Sequence, residues 1–201
     1  GLSYKTCLFM LHRIRFAMAD SAPGMLSGDV EVDETYVGGK PRHKGVSKRG
    51  RGTKKQCVFA MVERGGKVKT RPVANVTAKT LKQVIRENVH PSSALYTDEN
   101  SAYTGIGSEF EGGHQTTCHS KREYVRGDVH SNTIEGVFSI FKRGMIGTYQ
   151  HCGEQHLQRY LNEFDFRYSN RIKLGITDDM RADKALEGIK GKRLTYRRIN
   201  G

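Results

Sequence analysis

Long apolar runs are missing from this sequence. The two longest, Cys7 to Leu11 and Cys57 to Val62, are far too short to cross a bilayer as a helix. The opening Gly1-Leu2-Ser3-Tyr4-Lys5 offers no apolar core followed by a small-residue cleavage site, so no secretory signal is expected. Paired cysteines are missing too. Cys7, Cys57, Cys118 and Cys152 lie far apart, which excludes the two-residue spacing of a zinc ribbon or a redox motif. Free thiols in a reducing cytosol are the simplest reading. Tryptophan is absent, and acids are wanting over one whole stretch, Lys40 to Lys55.

What is present is positive charge. There are 34 Lys+Arg against 21 Asp+Glu, a formal net charge of +13. Such an excess favours a polyanionic partner, because each phosphate neutralised releases condensed counterions. A basic protein without enzymatic activity fits charge alone equally well. The acid-free stretch concentrates the excess in Lys40, Arg42, Lys44, Lys48, Arg49, Arg51, Lys54 and Lys55, with Gly45, Gly50 and Gly52 between them. Like-charge repulsion and glycine entropy predict a loop that is mobile when nothing is bound; its readings are a contact to a phosphate backbone such as that of DNA, a solvated disordered loop, or a nonspecific charge tether. Val37-Gly38-Gly39-Lys40 is not a P-loop, since it lacks the required spacing and the following Ser or Thr.

The periodicities alternate between strand and helix. Residues 28–37 place Val30 and Val32 on one face and Asp29, Glu31 and Asp33 on the other, a strand with one polar face. Residues 56–63 and 67–77 read as two strands joined across Arg64-Gly65-Gly66. Residues 78–89 form a helix with Leu81, Val84 and Ile85 inward, stopped by Pro91. Residues 94–97 make a short buried strand ending at Asp98, and 113–119 another. A helix starts after His130-Ser131, with Ile134, Val137, Phe138 and Phe141 as its apolar stripe and Asn132, Glu135, Ser139 and Lys142 opposite. A further helix covers about 153–168, with Leu157, Leu161 and Phe164 inward. Residues 4–18 are helical behind a Ser3 cap, with Leu8, Leu11 and Met18 at helical spacing. The pattern predicts a mixed α/β layer structure.

Two acids stand at strand positions well apart in sequence, Asp33 and Asp98, and a third, Glu135, lies early on a helix. Oxygens converging from two strands and a helix suit Mg²⁺ or Mn²⁺. Single acids are more often solvated charges, and Asp98-Glu99-Asn100 alone is also a plain turn. The contexts carry more. Val32-Asp33-Glu34-Thr35-Tyr36-Val37-Gly38-Gly39-Lys40, Tyr96-Thr97-Asp98-Glu99-Asn100-Ser101-Ala102-Tyr103 and the segment from His130 to Gly144 (HSNTIEGVFSIFKRG) occur in this order. Together with Arg159 to Phe164 and Phe166 to Arg171, they resemble the ISXO-like branch of bacterial insertion-sequence DDE transposases. The resemblance covers roughly residues 3–171.

That resemblance implies an RNase H-like (retroviral integrase-like) fold, a five-stranded mixed sheet flanked by helices. It implies Asp33 and Asp98 as metal ligands for two Mg²⁺ or Mn²⁺ ions. Family members vary at the third position between asparagine and an acid, and this chain offers Asn132 and Glu135 on one helix face. Glu135 is favoured because an anionic oxygen binds a hard cation better than a neutral amide. Lys142, two turns beyond Glu135 on the same side, is a candidate phosphate contact or an ordinary exposed lysine, and Arg143 stands beside it. His119 and His130 are either structural or close to the scissile phosphate, and Tyr124 lies between them; Phe164, Phe166 and Tyr168 read as core.

The implied activity is metal-dependent DNA strand cleavage and strand transfer at insertion-sequence ends, without ATP. Double-stranded DNA is the expected partner, a homodimer or larger synaptic complex the expected assembly, and the bacterial cytoplasm, at the nucleoid, the expected place. A structure-specific nuclease of the same fold and a non-catalytic DNA-binding descendant of a transposase are the competing readings. The resemblance divides the chain into a helical remnant of an N-terminal DNA-binding region (1–26), a catalytic domain (27–175) and a basic C-terminal tail (176–201). Relatives of this kind begin with a zinc ribbon and a helix-turn-helix, whose cysteine pairs this sequence lacks.

Overall fold

The computed structural model describes residues 1–19, 24–38, 55–117, 132–150 and 152–195. The basic stretch from Lys40 to Lys54, and Cys118, His119, Tyr124 and His130, therefore lie outside the described residues; Lys55 is described and exposed.

Five strands form one mixed sheet in the order β3-β2-β1-β4-β5. β1 (Asp29–Val37), β2 (Gln56–Glu63) and β3 (Val68–Val73) are an antiparallel meander. β2 turns into β3 across Arg64-Gly65-Gly66, where Gly65 takes φ +72°, a left-handed value that glycine adopts without steric cost. The chain then crosses over through α2 (Ala78–Asn88), so that β4 (Ala94–Asp98) lies parallel to β1. β5 (His114–Thr117) adds parallel to β4. An antiparallel meander extended by parallel strands after a helical crossover is the RNase H-like arrangement, as expected.

Each face of the sheet is covered. Val30, Val32, Phe59, Met61 and Leu95 pack against Leu81, Val84 and Ile85 of α2. Those three sit at helical i, i+3, i+4 spacing behind a Thr77 cap that accepts from Thr80 N–H. Leu81 and Ile85 are fully buried, worth about 1.5–3 kcal/mol each relative to exposure. The opposite face carries α3 (Asn132–Gly144) and α4 (Leu157–Ser169). There Ala60 and Val62 meet Ile134, Val137 and Phe138, while Val58 meets Phe141, Leu157 and Leu161. α4 also closes the β3 edge: Ser169 Oγ accepts from Val68 N–H, and the Asp165 carboxylate accepts from both Thr70 N–H and Thr70 Oγ1–H at 2.8 Å. Capping outward N–H groups this way removes a template for strand addition.

One expectation needs correction, and two faces carry more than the periodicity showed. The 67–77 strand stops at Val73. The odd-numbered face of β1 is not solvated: Glu31 is completely buried beneath α3, and Asp33 is half-buried. In α1 (Tyr4–Ala17) the residues turned inward include His12 and Arg15, while Leu11 is 47% exposed. The reason is chemical. α1 docks on α4 through an aromatic and ionic seam in which Arg15 lies over the Tyr160 ring (4.1 Å) and bonds Glu163 at 2.8 Å, and His12 stacks near His156 (4.8 Å between ring centres). An arginine with aromatic faces and a carboxylate to meet is buried more readily than a leucine with no pocket.

The Ser3 cap does form, accepting from Thr6 N–H. The segment expected as a basic tail contains a helix, α5 (Asp178–Glu187), capped by Thr177. Among the described residues Cys7, Cys57 and Cys152 are free thiols, and no helix is long and apolar enough to cross a membrane.

Candidate active site

Asp33 and Asp98 are brought near one another by the register of β1 and β4, close enough for the charge of Asp98 to act on Asp33. The parallel pairing of β1 and β4 runs Asp29 with Ala94, Val30 with Leu95 and Glu31 with Tyr96. Pairing ends there, and Asp33 and Asp98 follow two residues further along each strand. Strand alternation puts Glu31 and Asp33 on one face of β1, and Tyr96 and Asp98 on the matching face of β4. Arg64 marks that shared face, bonding Glu31 at 2.8 Å while stacking 3.8 Å from the Tyr96 ring centre.

The third acid arrives on α3. Glu31 Oε2 accepts from Ile134 N–H at 2.9 Å, anchoring the first turn of α3 directly over β1. A buried anion at a helix N-terminus is favourably placed against the helix dipole. Glu135, the next residue, is exposed on this turn, near enough that its charge opposes ionisation of Asp33. Burial first, and then the charges of Asp98, Glu34 and Glu135, push the Asp33 carboxyl up to about 7, against the pull of a 2.7 Å bond from Glu34 N–H. Asn132 is exposed one turn earlier on the same helix.

The fold thus brings Asp33, Asp98 and Glu135 to one end of the β1–β4 seam. Among the described residues, no three His, Cys, Asp or Glu side chains are grouped closely enough to hold a metal ion as they stand. The donors are nevertheless all oxygen and all acidic, a set that suits hard divalent cations rather than zinc or copper. Lys142 does not join the cluster. It is exposed two turns along α3, roughly 10 Å of helix rise from Glu135, with its Nζ 5.9 Å from the Phe138 ring centre. Arg143 is exposed next to it.

Other residues at the seam had no assigned part in the sequence reading. Glu34 points to the opposite face from Asp33 and accepts from Asn100 Nδ2 (2.8 Å) and Tyr103 Oη–H (2.6 Å). Burial, reinforced by the charge of Asp98, raises its carboxyl above the ordinary range, while the two donors act against this. Asn100 also donates its backbone N–H to Asp98 Oδ1 at 3.1 Å. Glu34, Asn100 and Tyr103 all lie inside the motifs quoted above. Their mutual contact was the missing signal, since the partners are distant in sequence.

The chain matches the family described as ISXO2-like transposase domain over residues 25–169. A relative from Halobacterium salinarum, named as an uncharacterized protein in transposable element ISH50, is 31% identical over 179 residues, covering 83% of this chain and 60% of that protein. A transposase-like protein from Haemophilus influenzae is 31% identical over 108 residues, 52% of this chain and 82% of the relative. Two solved structures are similar at low identity. The catalytic domain of Mos1 mariner transposase gives a TM-score of 0.46 at 11% identity, covering 94% of this chain and 89% of that one. The catalytic core domain of BIV integrase gives 0.43 at 17% identity, covering 68% of this chain and 82% of that one.

Proposed function

The chain belongs to the ISXO2-like transposase family, and from that premise we propose that it cleaves DNA strands at the ends of an insertion sequence and joins them to a target. The observation that carries the proposal is the placement of Asp33 and Asp98 on one face of adjacent strands, with Glu135 on the helix above.

In this reading Asp33, Asp98 and Glu135 hold two Mg²⁺ or Mn²⁺ ions. Such ions, when bound, activate an attacking oxygen and stabilise the leaving one. The raised affinity of Asp33 for protons fits that role: an anionic cluster that resists ionising on its own gains most from a divalent countercharge. Glu135 is preferred to Asn132 as the third ligand because it brings a charge to the cluster. Buried Glu31 and Arg64 hold the first turn of α3 over β1, so Glu135 is presented by a rigid element. Lys142 and Arg143, exposed further along α3, bind DNA phosphates, as does the basic stretch from Lys40 to Lys55. Joining needs no ATP, since one phosphodiester replaces another of similar energy. The two DNA ends are brought together in a dimer or larger synaptic complex.

The test is cleavage and strand transfer with oligonucleotides carrying the element's ends, in Mg²⁺ and in Mn²⁺. Asp33→Asn and Asp98→Asn should each lose on the order of a thousandfold in cleavage, several kcal/mol of transition-state stabilisation, while DNA affinity in EDTA stays unchanged. Glu135→Gln should follow them; if Asn132→Ala follows instead, Asn132 is the third ligand. Unchanged cleavage in the aspartate variants would overturn the reading. Cleavage without joining of pre-cleaved ends would reassign the chain as a nuclease.

A further inference from the structure

The sheet is weakest where the aspartates sit. β1 is hydrogen-bonded to β2 along its whole length, as far as Val37–Gln56, and β4 to β5 as far as Asp98–Thr117. Between β1 and β4, however, pairing ends at Glu31–Tyr96, two residues short of Asp33 and Asp98. Backbone hydrogen bonds therefore fix each aspartate to its outer neighbour and not to the other.

Among the described residues, a set of contacts centred on Glu34 spans this break in pairing. Glu34, next to Asp33, uses both carboxylate oxygens toward the turn that follows β4: Oε1 accepts from Asn100 Nδ2 at 2.8 Å and Oε2 from Tyr103 Oη–H at 2.6 Å. Asn100 in turn holds Asp98 Oδ1 through its backbone N–H (3.1 Å), and its Oδ1 caps Ala102 N–H (3.0 Å), fixing the turn. Tyr103 is fully buried in the α2-side core, so its hydroxyl is presented from a rigid base. Bonds from a neutral donor to a half-buried carboxylate are among the stronger ones.

We propose that Glu34 is a positioning residue: through Asn100 and Tyr103 it clasps the end of β1 to the turn after β4, and so sets the separation of Asp33 and Asp98 toward a divalent cation. The proposal rests on the metal-binding reading above. Glu34 acts from the far face of the sheet and touches the cation in no step.

Two variants break the clasp without altering charge. Tyr103→Phe removes one donor from an otherwise unchanged core residue. Asn100→Ser keeps an oxygen for the Ala102 N–H but is too short to reach Glu34. Mn²⁺ affinity, measured on the whole chain by calorimetry and by the electron paramagnetic resonance signal of free Mn²⁺, should fall about tenfold in each. Metal-free melting temperature should stay within a few degrees of wild type, and cleavage should recover at saturating Mn²⁺. The double variant should bind more weakly than either single one, because each single variant leaves one of the two bonds to Glu34 in place. If both variants bind Mn²⁺ as wild type does, the clasp has no positioning role, even if Glu34→Gln weakens binding through charge alone. Asp33→Asn separates the two failures. Should wild type and Asp33→Asn bind Mn²⁺ equally, or not at all, the metal reading falls and the clasp with it; should Asp33→Asn alone abolish binding, only the clasp is lost.

Discussion

Glu31 shows how a single side chain can commit a fold to a site. It is an anion with no exposure, paired to Arg64 and accepting the Ile134 amide that opens α3. Removing one partner of a buried ion pair leaves the other charge uncompensated, at a cost of about 3–5 kcal/mol. Glu31→Ala should therefore lower the unfolding free energy by that amount in a denaturant titration, whereas alanine at exposed Glu111 should change it by less than about 0.5 kcal/mol. A loss for Glu31→Ala below about 1 kcal/mol would show that α3 is anchored elsewhere. At this scale the sequence was legible where a residue's neighbours along the chain advertise it. Asp33, Asp98 and Glu135 each sit in a readable motif. Glu34 sits in the same motif as Asp33, but its meaning comes from Asn100 and Tyr103, which only the β1–β4 register brings near.

Among the elements, those with strong apolar periodicity were legible nearly to the residue: β2, α2, β4 and the inward stripe of α3 all follow the side-chain pattern. What periodicity did not show is held by polar or aromatic chemistry or by little burial at all. α5 has no buried residue to announce it, and α1 turns His12 and Arg15 inward against α4. That seam carries its own pH dependence. Burial, then the positive charges of Arg159, His156 and Arg15, lower the His12 imidazole from 6.5 to about 4. Between those values the unfolded chain binds a proton that the folded one refuses, so stability falls as pH drops from 6.5 toward 4 and is unaffected by this group above 6.5. The melting temperature should decline over that window, and His12→Gln should flatten the decline. Parallel curves for the two proteins would mean that His12 is protonated in place.

For the whole molecule, charge makes the clearest demand. A net charge of +13 with exposed Lys142, Arg143 and Lys55 predicts steeply salt-dependent DNA binding. Replacing Lys142 and Arg143 together by alanine should reduce the slope of log K against log salt by about two, without changing preference among sequences. An unchanged slope would place the DNA path off α3. Charge excess and the α/β class were legible from composition and pattern, and the family resemblance implied a five-stranded mixed sheet; the strand order was not legible, since it depends on which edges meet. That order has a bearing on how the protein comes into being. Asp33, Asp98 and Glu135 are spread widely along the chain, and the last of them is delivered by a helix that docks on a meander whose strands precede it in sequence. During synthesis the ribosome releases these acids one at a time, so the third can join the first two only after α3 has emerged and docked on the sheet.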